Sequence, residues 1–492
     1  MKLYEKTASE LSEMLRNRQC SAEEILSDVN ERIKTFDDKI GAYVTLNEHA
    51  AEAARNVDKA LANGETLHPL AGIPIGIKDN ITTKGLRTTC CSKMLESYIP
   101  PFNATVIDRI NKAGMVITGK TNMDEFAMGS STETSFMKLT RNPHNIEYVP
   151  GGSSGGSAAA IAAGEAIITL GTDTGGSVRQ PAAFCGVVGM KPTYGSVSRY
   201  GLIAYASSFD QIGSFGKSVE DVAMMHSLIS GYDKMDATSV CPKSMDYVST
   251  LKDSINGLRI GVSDEYFGHG VADDVKKSVY SAIKAMEAEG AKIVKINLPS
   301  LEYAVNAYYI IASAEASSNL ARYDGVRYGY RAAEYDGLSE MYAKTRSEGF
   351  GDEVKRRIVL GTFVLSSGYY DSYYKKAKLV QKRITREFTE AFEDCDVIAA
   401  PSAPTSAFRI GEHIKNPIKM YSGDICTVPV NIAGLPSISV PCGKNAEGMP
   451  IGMQLIGNKF ADQTVLNAAN AYEKICGGFS TAVKNLKSEE SS

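Results

Sequence analysis

Two serines in glycine-rich segments are the residues of this 492-residue chain best suited to nucleophilic chemistry. Ser153 lies in the run GGSSGGS at residues 151–157, and Ser177 lies in the run GTDTGGSVRQP at residues 171–181. Glycine permits positive φ angles and a close approach of the backbone, so such loops can direct several N–H groups at one developing negative charge. The two segments therefore predict an acyl-transfer site.

The stretch between the two loops argues against the simplest alternative, a flexible linker. Residues 157–163 have the small side chains of a short helix, and residues 166–170 are mostly apolar, as in a buried strand. A linker is polar and has no such pattern. A loop, a helix, a strand and a second loop can bring Ser153 and Ser177 to the same edge of a sheet.

Lys78 is a third candidate, because it follows a predicted strand at residues 70–77. A lysine at the end of a strand is more often a surface residue whose stem covers apolar neighbours. Taken alone, the segment favours that structural interpretation over a catalytic one.

Three further motif matches occur in the wrong context. The run GMVITGKT at residues 114–121 fits the phosphate-binding P-loop pattern, but its apolar residues are typical of the strand that such a loop should follow. Residues 151–155 fit the nucleophile elbow G-x-S-x-G, but the preceding residues 145–150 carry a charge and end in proline, unlike a buried strand. Residues 135–138 fit S-x-x-K without its companion motifs.

Alternating helix and strand patterns favour an α/β fold around these residues. Residues 7–63 have a helical pattern, in which Ser21 and Glu24 form a capping box. We expect one domain over residues 1–492, with a mixed central β-sheet covered by α-helices on both faces. Its parts are an N-terminal helical layer (1–65), a catalytic core (66–220) and the remainder of the sheet (221–492), with a helical elaboration at about 301–394. The other predicted elements are helices at 105–113 and 462–472, strands at 115–118, 397–400, 437–440 and 451–456, a turn and strand within 184–193, and a βαβ unit at 258–296.

Composition excludes several classes of function. The net charge is −4, from 53 basic and 57 acidic residues, so no overall field attracts DNA or an anionic membrane, and any RNA must be held mainly by another chain. The charged start and the lack of a long apolar run predict a cytoplasmic protein. Nine cysteines without a Cys-x-x-Cys spacing are expected to be reduced, and the six scattered histidines predict no metal site.

A tyrosine-rich segment at residues 369–374 precedes a basic run at residues 375–378. A basic run on a helix is usually a solvated face. Contact with RNA or with another protein chain is the alternative.

The chain resembles the amidase signature family. The resemblance lies in the two glycine-serine runs, in Lys78 upstream, in the segment KPT at 191–193, in SSFDQ at 207–211 and in PVNIAGLP at 429–436. The segments GKTNMDEFAMGSSTE at 119–133 and RYDGVRYG at 322–329 are most similar to the branch of the family that serves tRNA-dependent amidotransferases as their glutaminase. The departures are mild: Ser196, Ser214 and Ser402 replace the arginine, proline and threonine of relatives.

This resemblance implies a Ser-Ser-Lys catalytic triad. Serine is a weak nucleophile and no histidine lies in these motifs, so the base can be a lysine whose pKa is lowered by burial. The family pattern assigns that role to Lys78, makes Ser153 the bridge that passes the proton, and makes Ser177 the nucleophile. Backbone N–H groups around Thr174, Gly175 and Gly176 would form the oxyanion hole.

The resemblance also implies glutamine as the substrate. It maps the contact to the α-carboxylate onto Arg357, the contact to the α-ammonium onto Asp424, and a third contact onto Tyr308. Composition alone cannot choose these residues, because Arg356 and Tyr309 are their immediate neighbours. Asp173 and Arg179 are central and polar, and we expect structural hydrogen bonds from them.

The implied function is a glutaminase subunit that supplies ammonia to a partner that converts glutamyl-tRNA(Gln) to glutaminyl-tRNA(Gln). The implied partners are the B and C subunits of a heterotrimer. These partner subunits would hold most of the tRNA and would bind ATP and Mg²⁺. This chain itself is expected to bind no cofactor. The main alternative is a free-standing amidase that acts on another carboxamide. Two alternatives come from other classes: an ATP-dependent enzyme that uses residues 114–121, and a purely structural component of a complex.

Overall fold

A computed structural model describes residues 2–242, 245–414 and 416–479 of the chain. Strands and helices alternate along most of this length. The strands are β1 (Tyr43–Leu46), β2 (Pro74–Lys78), β3 (Val116–Thr121), β4 (Ile168–Thr172), β5 (Val188–Lys191), β6 (Ile212–Gly216), β7 (Arg259–Ser263), β8 (Lys292–Ile296), β9 (Val397–Pro401), β10 (Ser437–Lys444) and β11 (Pro450–Gly457). The helices are α1 (Ala8–Arg16), α2 (Ala22–Ile40), α3 (Ala50–Ala62), α4 (Thr105–Lys112), α5 (Gly155–Ala163), α6 (Arg179–Cys185), α7 (Val219–Ile229), α8 (Asp273–Ala288), α9 (Ala304–Asn319), α10 (Gly337–Gly349), α11 (Asp352–Leu365), α12 (Lys376–Asp394), α13 (Pro417–Ser422), α14 (Val428–Ala433) and α15 (Asp462–Ile475).

The eleven strands of the described residues form one sheet in the order β1-β3-β2-β4-β6-β5-β10-β11-β9-β7-β8. The pairs β3–β2, β2–β4, β9–β7 and β7–β8 are parallel, and the central strands from β4 to β9 pair antiparallel. A parallel pair needs a crossover, which α8 supplies between β7 and β8. The predicted α/β domain with a mixed central sheet is therefore confirmed.

Two strands were not predicted. The prediction that residues 7–63 are helical is wrong at β1, a four-residue edge strand that pairs antiparallel with β3. The strand β6 has the sequence IGSFG and lies between β4 and β5. Its two glycines and its serine weaken any strand pattern, and a short edge strand has too few residues to show a period.

The P-loop alternative is excluded by the course of the chain at residues 114–121. This segment is mostly the buried strand β3 rather than a turn that opens a helix. The Lys120 side chain is fully buried, and its ammonium donates to the Ile81 carbonyl and to the hydroxyls of Thr83 (3.2 Å) and Thr88 (3.0 Å). Lys120 thus fastens the loop after β2 and presents no charge to a phosphate.

Two observations bear on the predictions from composition. All nine cysteines are free thiols. Among the described residues, no helix combines the length and the apolar character needed to cross a membrane.

Candidate active site

Lys78, Ser153 and Ser177 lie at the same end of neighbouring strands, because β2 and β4 are parallel. Ile77 of β2 pairs with Leu170 of β4, so both strands end at the same side. Lys78 is the last residue of β2, and the loop that carries Ser177 follows the end of β4. Helix α5 packs against both strands, and Ser153 lies just before its first turn. The loops therefore converge on Lys78.

Lys78 is fully buried in a cage of oxygen atoms. Its Nζ lies 2.8 Å from Ser153 Oγ, 2.7 Å from Ser154 Oγ, 2.8 Å from Thr172 Oγ1 and 3.4 Å from the Thr172 carbonyl. Burial disfavours the ammonium form and lowers the pKa of Lys78 to about 7, although negative charges, chiefly that of Asp124, oppose the shift. A large share of the lysine is thus a neutral amine at neutral pH, as a general base must be.

The hydrogen bonds around Lys78 favour Ser153 as the proton donor to this amine. Ser154 Oγ donates to the Thr172 carbonyl (3.1 Å) and accepts the Thr172 N–H (3.2 Å). Thr172 Oγ1 already accepts an N–H of Asn80 at 3.1 Å. Ser153 Oγ has no partner other than Lys78 among the residues that the structure describes, so its proton is free to face the lone pair of the neutral amine.

Ser177 lies beside these two serines. Its carbonyl accepts the N–H of Ser154 at 3.2 Å, and the residue is 8% exposed, so a small molecule can reach it. Gly176 precedes it with a φ of +133°, and a Cβ at that position would lie 2.2 Å from Thr427 Oγ1. Only glycine fits there, which explains part of the glycine-rich pattern. The peptide bond between Gly152 and Ser153 is cis.

The three residues expected to form the oxyanion hole differ in their hydrogen bonds. Within the described part of the chain, the N–H groups of Thr174 and Gly175 have no acceptor, so both are available to a ligand. The N–H of Gly176 donates to Asp173 Oδ1 at 2.9 Å. A Cβ on Gly175 would lie 2.6 Å from the Tyr308 ring, so that ring covers the loop.

Asp173 and Arg179 form a buried ion pair that braces this loop. Arg179 Nε donates to Asp173 Oδ2 at 3.0 Å, and both side chains are fully buried. Burial alone would raise the pKa of Asp173, but the adjacent guanidinium lowers it to about 2. The carboxylate also accepts the N–H groups of Gly176 and Val178. These contacts support the structural role expected of the pair.

Arg357 is the buried member of the two neighbouring arginines. Its side chain is 4% exposed, whereas that of Arg356 is 46% exposed. The guanidinium lies 5.1–5.6 Å from the ring centres of Tyr205, Tyr309 and Tyr421. An arginine held among aromatic faces is suited to binding a carboxylate.

Tyr309 links Asp424 to this arginine. The Tyr309 hydroxyl donates to Asp424 Oδ2 at 2.5 Å, while Tyr308 packs on the loop at Gly175. Burial raises the pKa of Asp424 to about 7, and the hydrogen bond from Tyr309 opposes that shift. Tyr309 thus contacts both the Arg357 guanidinium and the Asp424 carboxylate, and its neighbour Tyr308 contacts the loop before Ser177.

Several neighbours in the site were not predicted from the sequence. Ser154 and Thr172 contact Lys78, and Tyr205, Glu353 and Tyr421 contact Arg357 or its partners. Ser154 lies within the first glycine-serine run, but the pattern assigned it no role. The others come from separate elements, and no spacing in the sequence connects them. Among the described residues, no cluster of three His, Cys, Asp or Glu side chains could hold a metal ion.

Comparison with known proteins shows a close likeness. The sequence model of the family described as Amidase matches residues 24–466. The A subunit of the glutamyl-tRNA(Gln) amidotransferase of Caldanaerobacter subterraneus subsp. tengcongensis is 59% identical over 475 residues, which cover 96% of this chain and 97% of that protein. The protein of the same name from Thermoanaerobacter pseudethanolicus is 57% identical with the same coverage.

Solved structures agree with this result. The crystal structure of the glutamyl-tRNA(Gln) amidotransferase A subunit from Thermotoga maritima superimposes with a TM-score of 0.80 at 44% identity, covering 96% of this chain and 95% of that one. The peptide amidase from Stenotrophomonas maltophilia gives a TM-score of 0.83 at 27% identity, covering 97% and 98%. The same fold thus occurs in a component of an amidotransferase and in a peptide amidase.

Proposed function

This chain belongs to the amidase family, and we propose that it hydrolyses the side-chain amide of glutamine as a subunit of a tRNA-dependent amidotransferase. Relatives that are 53–59% identical over 96% of the chain carry the name of that subunit. They favour the amidotransferase component over a free-standing amidase, whose structural representative here is 27% identical.

The first step is attack by Ser177 Oγ on the amide carbon of glutamine. The Ser177 proton passes to Ser153 as the Ser153 proton passes to the neutral Lys78 amine, 2.8 Å away. The new bond converts the amide carbonyl into an oxyanion. The N–H groups of Thr174 and Gly175 stabilise that charge. The N–H of Gly176 already donates to Asp173, so it can contribute only as a hydrogen bond divided between Asp173 and the oxyanion.

Collapse of this intermediate releases ammonia. The C–N bond breaks as Ser153 gives a proton to the leaving nitrogen and regains one from Lys78. A glutamyl ester on Ser177 remains. A water molecule then attacks the ester carbonyl and loses its proton by the same route, and glutamate leaves as the Ser177 hydroxyl is restored.

Substrate recognition rests on two opposite charges. The Arg357 guanidinium pairs with the α-carboxylate of glutamine, and the Asp424 carboxylate pairs with the α-ammonium. Tyr308, which covers the loop at Gly175, limits the space beside the reacting amide. Because the pocket is buried, both substrate charges require a partner there.

The ammonia serves a partner rather than this chain. We propose that the B and C subunits complete a heterotrimer. These partners hold glutamyl-tRNA(Gln) and bind ATP and Mg²⁺. The assembly works in the cytoplasm. This chain offers no phosphate loop at residues 114–121, since they are mostly strand β3. We propose further that residues 1–492 are one catalytic domain, of which Met1 and residues 243–244, 415 and 480–492 lie outside the described part.

The observation that carries this proposal is the buried Lys78 amine within hydrogen-bond distance of Ser153, beside the loop of Ser177. The test is glutaminase activity of the purified complex with Ser177→Ala in this chain. We expect ammonia release to be lost while the complex still assembles. Retained glutaminase activity would refute the proposal.

A further inference from the structure

Glu353 lies one helical turn before Arg357 on α11 and is surrounded by hydrogen-bond donors. Its Oε1 accepts the Arg357 Nε–H at 2.7 Å and the Tyr421 hydroxyl at 2.8 Å. Its Oε2 accepts an N–H of Arg356. Both oxygens of this carboxylate are therefore engaged by the protein, so it is poorly placed to bind a substrate ammonium itself.

Among the residues that the structure describes, the contacts of Arg357 leave one edge of its guanidinium open. Of its five N–H donors, Nε–H is taken by Glu353, and one on Nη1 is directed at the Tyr205 hydroxyl at 2.6 Å. The remaining N–H groups lie on Nη1 and Nη2, which form the edge that can grip a carboxylate with two parallel hydrogen bonds. The two protein contacts determine where this edge faces.

We propose that Glu353 is a positioning residue that sets the Arg357 guanidinium for the α-carboxylate of the substrate. This inference rests on the proposed function, in which Arg357 binds that carboxylate. Arg357 is nearly fully buried and carries a charge that needs a counterion before the substrate arrives. Glu353 supplies that counterion and, through the Nε contact, prevents the side chain from rotating.

A second contact extends this effect to Asp424. The Tyr421 hydroxyl is held by Glu353, and the Tyr421 ring stacks on the Tyr309 ring with centres 4.0 Å apart. Tyr309 in turn donates to Asp424. One carboxylate on α11 thus fixes the cationic contact directly and the anionic contact through two stacked rings carried by α9 and the short helix α13.

Glu353 remains ionised at its place beside Arg357. It lines a cavity of about 570 Å³ together with Gly129, Arg356 and Met420. Burial would raise the pKa of Glu353, but the charge and hydrogen bond of Arg357, together with Tyr421 and Arg356, outweigh burial and lower this pKa, so the carboxylate is ionised. Glu353 thus lies between the Arg357 guanidinium and this neighbouring cavity, and Arg357 itself is not among the lining residues of the cavity.

The test compares Glu353→Ala and Glu353→Gln with a matched control, Arg356→Ala. Each is assembled with its partner subunits and glutamyl-tRNA, and kcat and KM are measured for glutamine and for butyramide, which has neither α-charge. Arg356 contacts the same carboxylate but is 46% exposed, so its removal leaves Arg357 in place.

Glu353→Ala is expected to raise KM for glutamine about 10- to 100-fold with little change in kcat, because the guanidinium loses its orientation. Butyramide hydrolysis should be unchanged. Glu353→Gln should lose less, since its amide oxygen can still accept the Nε–H, and Arg356→Ala should match the wild type. Unchanged glutamine KM in Glu353→Ala, or equal losses on both substrates, would overturn the positioning role.

A double-mutant cycle separates this inference from the proposed function. In the Arg357→Ala background, Glu353→Ala should cause a much smaller further loss on glutamine than in the wild type, because only its indirect effect on Asp424 through Tyr421 remains. Losses that multiply in full would overturn the inference. Full glutamine activity in Arg357→Ala alone would instead refute the proposed recognition itself. If Glu353→Ala fails to fold, Glu353→Gln is put through the same cycle, in which losses that multiply in full with Arg357→Ala overturn the inference.

Discussion

Lys78 Nζ and Ser153 Oγ lie 2.8 Å apart in a fully buried setting, so the amine and the hydroxyl can exchange a proton without water. The strand β2 supplies the lysine, and the loop before α5 supplies the serine. Two further hydroxyls, those of Ser154 and Thr172, hold the amine from other directions. Removal of water from this pair lowers the pKa of Lys78 to about 7, which a lysine in solution does not reach.

The pH dependence of catalysis should differ between glutamine and a neutral amide. Lys78 must be deprotonated to act as a base, and its pKa is about 7, so kcat/KM should fall for both substrates as the pH drops below 7. Asp424 must be ionised to hold the α-ammonium, and its pKa is also raised to about 7. Glutamine should therefore lose kcat/KM more steeply than butyramide at low pH. Equal slopes would argue against a role for Asp424, and a flat profile would argue against Lys78 as the base.

Two buried lysines offer a matched comparison. Lys78→Ala should abolish hydrolysis of every amide, because no other base contacts Ser153 among the described residues. Lys120→Ala should retain hydrolysis per folded molecule, although it leaves the acceptors on Ile81, Thr83 and Thr88 without their donor, at a cost of about 1–3 kcal/mol in the free energy of unfolding.

The measurements for this pair are glutaminase rates normalised to folded protein and thermal unfolding. Loss of catalysis in Lys120→Ala at full folding would contradict the assignment of the two lysines. Binding of ATP by the isolated wild-type chain, together with its loss in Lys120→Ala, would contradict the exclusion of a phosphate loop at residues 114–121.

Arg357→Ala and Asp424→Ala should impair glutamine use selectively. Either change leaves one charge of glutamine unpaired in a buried pocket, at a cost of about 2–5 kcal/mol, which corresponds to well over tenfold in kcat/KM. Butyramide lacks both charges and should lose much less. The comparison of kcat/KM for the two amides, in the presence of the partner subunits and glutamyl-tRNA, measures this selectivity. Equal losses on both substrates would mean that the residues support the fold or the chemistry instead.

The apolar patterns of β2 and β4 predicted strands that end before Lys78 and before the loop of Ser177, and these parallel neighbours do end at one side of the sheet. The segment alone favoured a surface position for Lys78, which its full burial contradicts, and its catalytic role came from the family resemblance. The choice of Arg357 over Arg356 came from family resemblance, although a local signal exists. Val354, Arg357, Gly361 and Val364 lie on the buried face of α11, so helical spacing places Arg357, and not Arg356, toward the interior.

Other features could not be predicted from the sequence for physical reasons. The contact between Glu353 and Tyr421 joins α11 to α13, which are far apart in the chain, and hydroxyl and carboxyl groups have no periodic signature. The oxygen cage of Lys78 depends on which way Ser154 and Thr172 point, which only the folded backbone decides. The strand β6 is hidden by its glycines, yet it lies between β4 and β5 in the sheet.

The most direct test of the account is to identify the residue that carries the acyl group. The complex is mixed with glutamine, quenched in acid within one turnover, digested and analysed by mass spectrometry. We expect a glutamyl ester on the peptide that contains Ser177, its absence in Ser177→Ala, and no modification of the peptide that contains Ser153. A glutamyl ester on Ser153 with Ser177 unmodified would contradict the assignment of the nucleophile.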